Sequence, residues 1–198
     1  SYTSASIAIG GSGASGAASA SFANGAVKYI KVTANGSTHF TTSGYAQSGT
    51  ASTIKLAASD SQPDDFYNGM RITVYTGTGY GNTGVIADYV ASTKTATVQK
   101  ENGTAGFDVF VNSGLSAATS FDTTSGYEIE PRVAISGGGS PSRNALARAV
   151  VENQQVSKIL ILDGGAGYSS APTVTITDPN ASSVATATSA IAPAPSVF

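Results

Sequence analysis

Part of this chain is written twice. Asn24-Gly25-Ala26-Val27-Lys28-Tyr29-Ile30-Lys31-Val32 near the start and Asn153-Gln154-Gln155-Val156-Ser157-Lys158-Ile159-Leu160-Ile161 near the end stand at a constant offset of 129 (153 − 24 and 156 − 27). Each runs into a turn-forming stretch, Asn35-Gly36-Ser37 in one copy and Gly164-Gly165-Ala166 in the other. Upstream, Ile7-Ala8-Ile9-Gly10-Gly11 matches Val133-Ala134-Ile135-Ser136-Gly137, with a three-residue insertion in the second copy. Between these anchors Ala18, Ala20 and Phe22 answer Ala147, Ala149 and Val151. A third start at Val174-Thr175-Ile176 runs out through Ala185 and Ala187. A unit that recurs in this way cannot bury its apolar face alone and does so against its neighbours.

The unit reads as strand, Gly-rich turn, strand, short turn, strand, Gly-rich turn. Ile7/Ile9, Val133/Ile135 and Val174/Ile176 each place two apolar side chains on one face of an extended segment. Charged residues make up 11% of the chain, against roughly 25% in an average soluble domain. Nine Tyr and seven Phe, with many Val, Ile and Thr, separate this composition from a disordered one. The fold class expected is all-β: repeat-built antiparallel β-modules, small sandwich or barrel-like units, with little or no helix. Asn144 to Glu152 has helix-forming residues in Ala-Leu-Ala-Arg-Ala, but its counterpart Ala17 to Phe22 is Ser/Ala-rich, so the repeat predicts a strand there. Ile159-Leu160-Ile161-Leu162 lacks alternation and reads as a strand buried on both faces.

The middle differs. Met70, Ile72 and Val74 alternate with Arg71, Thr73 and Tyr75; the Gly-rich turn Thr76 to Gly84 leads to Val85 to Val90, and Thr95 to Val98 follows. That is a meander with turn residues between its strands. Phe107, Val109, Phe110 and Phe121 are spaced along a Gly/Ser/Thr-rich stretch that reads either as an anchored loop or as one more hairpin. Three parts are expected: an N-terminal β-repeat unit at 1–49, a central β-meander at 50–131, and a related C-terminal unit at 132–198. The third start predicts an unfinished unit at Val174 to Thr177, with its partner in a neighbouring subunit or another protein.

Several chemistries lack their residues. Ten basic residues are scattered over a chain of net charge −2, without the basic stripe that tight nucleic-acid binding needs. No cysteine is present for a disulfide or a thiolate metal site. The longest apolar run, Ile159 to Leu162, is far short of a membrane helix of roughly 20 residues. No initiator Met or leader is seen, so the chain is expected to be processed or a fragment. His39 is the single histidine; it could act as base to a serine, but no GxSxG elbow accompanies it. Gly79-x-Gly81-x-x-Gly84 matches the dinucleotide fingerprint in letters, yet a strand pattern follows where a helix is needed. Asp60, Asp64 and Asp65 read either as a calcium-binding corner or as turn residues bonding their own backbone. Paired carboxylates for glycoside hydrolysis are not excluded by spacing. The sequons at Asn35, Asn102 and Asn180 are what a chain this rich in Asn, Ser and Thr carries by chance. No catalytic, cofactor-binding or metal residue is assigned.

Two stretches resemble modules of bacteriophage virion proteins. Gly164-Gly165-Ala166-Gly167-Tyr168-Ser169-Ser170-Ala171-Pro172-Thr173-Val174-Thr175-Ile176 resembles the "GGSGYTSAPTVTI" repeat of tail, baseplate and fibre proteins, notably cyanophage-like ones. Asp64-Asp65-Phe66-Tyr67-Asn68-Gly69-Met70-Arg71-Ile72, with Gly77-Thr78-Gly79, Thr95 to Val98 and Ser125-Gly126-Tyr127-Glu128-Ile129, resembles a second virion module. In the first repeat copy His39 stands at the position of Tyr168 (168 − 129). The residues agree with the resemblance: Gly165 and Gly167 can supply positive φ, Tyr168 can lie over the turn with its hydroxyl in water, and Pro172 suits a strand's start. The resemblance implies a non-catalytic virion structural protein without cofactors. Its partners would be copies of itself and neighbouring virion proteins, with neither nucleic acid nor membrane insertion. Two alternatives stand beside it: an extracellular filament or surface-layer subunit at the cell surface, and a carbohydrate-binding module in which Tyr75, Tyr80 and Tyr89 stack on a surface glycan.

Overall fold

The computed structural model describes residues 25–109 and 116–191, and every regular element within them is a strand. The expectations at Ile7 to Ile9, Ala17 to Phe22 and Phe110 lie outside the described residues. The chain begins with β1 (Val27–Ala34) and continues into β2 (Thr42–Tyr45), β3 (Ser48–Thr50), β4 (Thr53–Lys55), β5 (Arg71–Thr76), β6 (Asn82–Val90), β7 (Thr95–Gln99), β8 (Asp108–Val109), β9 (Ser120–Phe121) and β10 (Gly126–Glu130). From β2 to β10 these form one nine-stranded antiparallel sheet in the order β2-β10-β5-β6-β7-β4-β3-β9, with β8 on β6. The meander read from Met70 to Val98 is β5–β6–β7, with Ile72 opposite Gly84 and Ile86 opposite Val98. The sheet also takes in β2 and the first two residues of β3, which lie within the stretch assigned to the N-terminal unit.

Strands from both ends of that order contribute to one core. Tyr127 and Ile129 of β10 share a cluster with Ile54 of β4 and Phe121 of β9, together with Ile72, Val74, Ile86 and Val98. The sheet therefore wraps around its own apolar face. The β5–β6 turn is fastened to the β9–β10 connection: the Thr78 hydroxyl donates to Asp122 at 2.6 Å, and the Ser125 hydroxyl donates to the Thr78 carbonyl at 2.7 Å. Gly77 sits in this turn at φ +70, where a Cβ would lie 1.9 Å from the Thr124 carbonyl oxygen.

The other strands are β11 (Arg132–Ser136), β12 (Leu146–Glu152), β13 (Gln155–Asp163), β14 (Thr173–Thr177) and β15 (Thr186–Ile191). With β1 they make three two-stranded antiparallel sheets, β1–β15, β11–β14 and β12–β13. Val27, Ile30, Val133, Ala147, Ala149, Val156, Ile159, Ile176 and Ala185 close a second core among them. Residues 146–152 are a strand, as the repeat predicts; a tight turn with Asn153 at φ 51 and Gln154 at φ 61 returns the chain into β13. Asn tolerates this left-handed conformation better than most residues, and two such residues in succession match the strand twist.

Three expectations need correction. Leu160 and Leu162 are 41% and 39% exposed while Ile159 is buried: β13 lies in a two-stranded sheet with one covered face, so the apolar run is half exposed. The Tyr168 hydroxyl is not in water; it accepts a hydrogen bond from the Ala145 N–H at 2.8 Å, and the residue is only 4% exposed. The strand at Val174 to Thr177 finds its partner in neither a second subunit nor another protein but in this chain: β14 pairs with β11 in five successive residue pairs, Arg132↔Thr177 to Ser136↔Thr173.

Gly165 and Gly167 do take positive φ, +66 and +83. Gly103 shares the φ of +83 but has nothing within 4 Å of its would-be Cβ, whereas that of Gly167 meets the Ser142 nitrogen at 3.0 Å. Both Gly→Val substitutions carry backbone strain of about 1–3 kcal/mol, and Gly167→Val adds crowding. Urea titration should show the larger loss for Gly167→Val; equal losses would mean that the turn yields.

Candidate functional site

Two places among the described residues bring polar and charged side chains together across distant parts of the chain: the seam where β1 meets β13, and the junction between the two cores. At the seam β1 leaves through Asn35-Gly36 and delivers His39, which is 2% exposed. Its Nδ1 lies 3.0 Å from Asp178 Oδ2, and Ala185 N lies 3.1 Å from its Nε2. A backbone N–H only donates, so Nε2 is the acceptor, and Nδ1 carries the hydrogen that points to Asp178. The same carboxylate oxygen accepts from the Phe40 N–H at 2.8 Å. Both ring nitrogens are therefore committed, which leaves no lone pair to activate a serine. His39 holds the start of β15 as Tyr168 holds the start of β12, each through the backbone N–H of an alanine, Ala185 or Ala145.

The seam is reciprocal. Val27 N donates to Gly164 O at 2.7 Å, and Val156 N donates to Asn35 O at 3.0 Å. Tyr168 N donates to Gly25 O at 2.9 Å, and His39 N donates to Gln154 O at 2.9 Å. Each bond maps onto its partner by the offset of 129 (27 + 129 = 156, 39 + 129 = 168, 25 + 129 = 154). Isolated bridges Ser37↔Ser183 and Arg143↔Ala166 occupy equivalent places.

The other candidates are engaged in holding the fold. Asp60 accepts the hydroxyls of Tyr67 and Tyr89 at 2.5 Å each. Burial first, and then this carboxylate, hold both phenols above their usual range. Asp64 accepts from the Ala91 N–H, and Asp65 accepts from the Asn68 side chain. The three carboxylates thus share no partner, and no group of three metal-ligating residues comes together among the described residues. Gly79 and Gly81 are turn residues at φ +81 and +82, and β6 begins at Asn82, so a strand follows the glycines. Of the Asn-x-Ser/Thr asparagines, Asn180 donates its side-chain amide to the Phe66 carbonyl.

Of the three tyrosines proposed to stack on sugars, Tyr89 is buried, while Tyr75 and Tyr80 are 43% and 56% exposed. Sequence reasoning missed Tyr45, also exposed, which lies across Gly126 from Tyr75: a Cβ on Gly126 would touch both rings, at 3.2 and 3.3 Å. Beside them opens a cleft of about 540 Å³ lined by Thr41, Thr42, Ser43, Tyr75, Glu128 and Arg148.

Arg148 of β12 crosses from one core to the other. It donates from Nε and Nη2 to Glu130 at 3.0 and 2.6 Å, and from Nη2 to Glu128 at 2.7 Å. Nearby, Glu101 takes Arg71 on one oxygen and Arg132 on the other, the latter at 2.7 Å. Glu130 and Arg71 are each 1% exposed, and Glu130 Oε1 and Arg71 Nε have no partner. Charged residues near a strand end read as solvated in sequence; here Glu130 meets Arg148 of β12, and Arg71 points to the Val133 carbonyl of β11.

Burial pushes the Glu130 carboxyl up to about 7, against the opposing pull of Arg148. The folded chain then holds a proton that the unfolded chain has released, so the stability from Glu130 is full below about 4.5 and is lost as pH rises through about 7. The contribution is about 3 kcal/mol. Unfolding midpoints should fall between pH 5 and pH 8, and Glu130→Gln should flatten that slope; an unchanged slope would place the titration elsewhere.

Comparison of the chain with models of protein families, with curated proteins and with solved structures finds no match in any of the three.

Proposed function

We propose that this chain is a non-catalytic structural module that works by assembly, as a spacer or connecting part of a virion tail, baseplate or fibre. The observation that carries the reading is the reciprocal seam: two segments 129 residues apart in sequence take equivalent places and exchange equivalent hydrogen bonds. Scaffolds built from repeated units bury a core in this way, unit against unit. The resemblance of residues 164–176, and of residues 64–98 with 125–129, to virion modules adds the setting. The engagement of His39, Asp60, Asp64 and Asp65 in structural bonds supports the absence of turnover.

Assembly needs a surface, and Leu160 and Leu162 supply apolar side chains on the outer face of β13, with Tyr29 exposed on β1. Changes at exposed positions usually leave stability within about 0.5 kcal/mol. Light scattering over a concentration series should show self-association of the full chain, reduced by Leu160→Lys with Leu162→Lys at unchanged melting temperature. Peptides of the chain should also appear by mass spectrometry in purified phage particles. A chain that stays monomeric at high concentration and is absent from particles would remove the proposal.

One observation favours a second reading, glycan binding. Tyr45 and Tyr75 flank Gly126 beside a cleft that offers hydroxyls, a carboxylate and a guanidinium. Aromatic faces beside hydrogen-bonding groups suit a sugar ring, with its apolar face and its hydroxyl edge. On a glycan array Tyr75→Ala should abolish any signal that Tyr80→Ala leaves intact; no signal from the unaltered chain would end this reading.

A further inference from the structure

The outer face of β10 carries a graded row of residues. Tyr127 and Ile129 belong to the core of the large sheet, so Gly126, Glu128 and Glu130 lie on its other side. Across the ladder on β2, Tyr45 stands opposite Gly126 and Ser43 opposite Glu128. On β5, Thr73 stands opposite Glu128 and Arg71 opposite Glu130. The row is buried at the Glu130 end, where Arg148 of β12 reaches it. It is open at the other end, where the exposed rings of Tyr45 and Tyr75 bracket Gly126. Glu128 sits at the midpoint: its side chain is 32% exposed, against 1% for Glu130.

Glu128 and Arg148 both line the cleft of about 540 Å³, but their charges are not equally available to a ligand. Arg148 is committed, since Nε and Nη2 donate to Glu130 Oε2 and Nη2 also meets Glu128. An acidic ligand would have to draw that guanidinium away from one of the two carboxylates. Glu130, whose Oε1 already lacks a partner, would then be left buried with no donor at all, which is costly. Glu128 meets Arg148 through Oε2, which leaves Oε1 to the cleft. Two carboxylates against one guanidinium leave this corner short of positive charge.

A carboxylate oxygen beside two exposed tyrosine faces suits an ammonium group. The oxygen accepts a charge-assisted hydrogen bond, and the ring faces attract the cation. Thr41, Thr42 and Ser43 bring hydroxyls to the same cleft. We propose that this cleft binds an amino sugar, with its ammonium on Glu128 and its ring on Tyr45 and Tyr75, and that it turns acidic sugars away. The proposal rests on the glycan reading above and supplies the ligand class. Selectivity of this kind comes as much from the penalty on the wrong ligand as from attraction to the right one.

Calorimetric titration of the full chain separates the cases. The ligands are oligomers of glucosamine, N-acetylglucosamine and galacturonic acid of equal length, in mildly acid buffer where the glucosamine amines carry a proton. The glucosamine oligomer should bind roughly tenfold more tightly than the acetylated one, the difference expected of one hydrogen bond between charged groups. The galacturonic acid oligomer should give no binding heat. Glu128→Gln should bring glucosamine binding down to the acetylated level, and Tyr45→Ala should weaken both. Glu152→Gln, which removes the same charge at the exposed end of β12, should change nothing. The ligand comparison on the unaltered chain holds even where Glu128→Gln unsettles the fold. Equal binding of the first two oligomers, an unchanged preference in Glu128→Gln, or tightest binding of galacturonic acid would overturn the ammonium site and leave the glycan reading standing. Equal weakening by Glu152→Gln would reduce the effect to net charge and overturn the site as well. If no oligomer binds, the glycan reading falls and this site with it.

Discussion

The second core depends on a backbone ladder between parts of the chain far apart in sequence. β1 brings Val27, Ile30 and Val32 to a cluster otherwise built from residues 133–191, and it is held there by pairing with β15 and by the reciprocal bonds to Gly164, Gly25 and Gln154. Without β1, one side of β15 would face solvent with unpaired N–H and C=O groups. Ala185, which opens β15, would lose the acceptor that His39 supplies. The His for Tyr exchange is tolerable because the task is narrow: one acceptor atom, held at a fixed depth, for one backbone N–H.

The junction of the two cores follows a different logic. A buried ion network is a poor source of net stability, because desolvation offsets the attraction. Two atoms here, Arg71 Nε and Glu130 Oε1, lack partners. What the network does supply is orientation. Arg148 can reach Glu128 and Glu130 together only if β12 lies at one angle across β10, and Glu101 can hold Arg71 and Arg132 only if β11 continues β10 in one direction past Pro131. Charge fixes how the parts sit, and the two apolar clusters on either side hold them together.

Much of this was legible in the residues. The all-β class, the meander from Met70 to Val98, the strand over residues 146–152 in spite of its helix-forming alanines, and positive φ at Gly165 and Gly167 all carry local signals: alternation, turn chemistry and the offset of 129. What was not legible is contact at long range. Nothing near Val174 announces that Arg132 to Ser136 will pair with it, and nothing near Thr186 points to β1. Tyr89 looked like a free aromatic because alternation shows that a side has been taken, not what covers it; the Asp60 carboxylate and the Tyr67 ring, 4.9 Å from that of Tyr89, cover it. Leu160 and Leu162 misled in the opposite sense, since an apolar run does not reveal that its sheet has only two strands.

The direction in which β1 and β15 run has a mechanical consequence. They are antiparallel with Val27 opposite Ile191, so the residue through which the chain arrives and the residue through which it departs lie side by side. Tension on the segments flanking these two residues would load the ladder at its end, one hydrogen bond at a time, as a zip is opened. The same strands pulled from opposite ends would share the load across every rung at once. When the molecule is pulled through those two segments, the β1–β15 ladder and the bonds of Val27 to Gly164 and of Gly25 to Tyr168 would take the load before the nine-stranded sheet does.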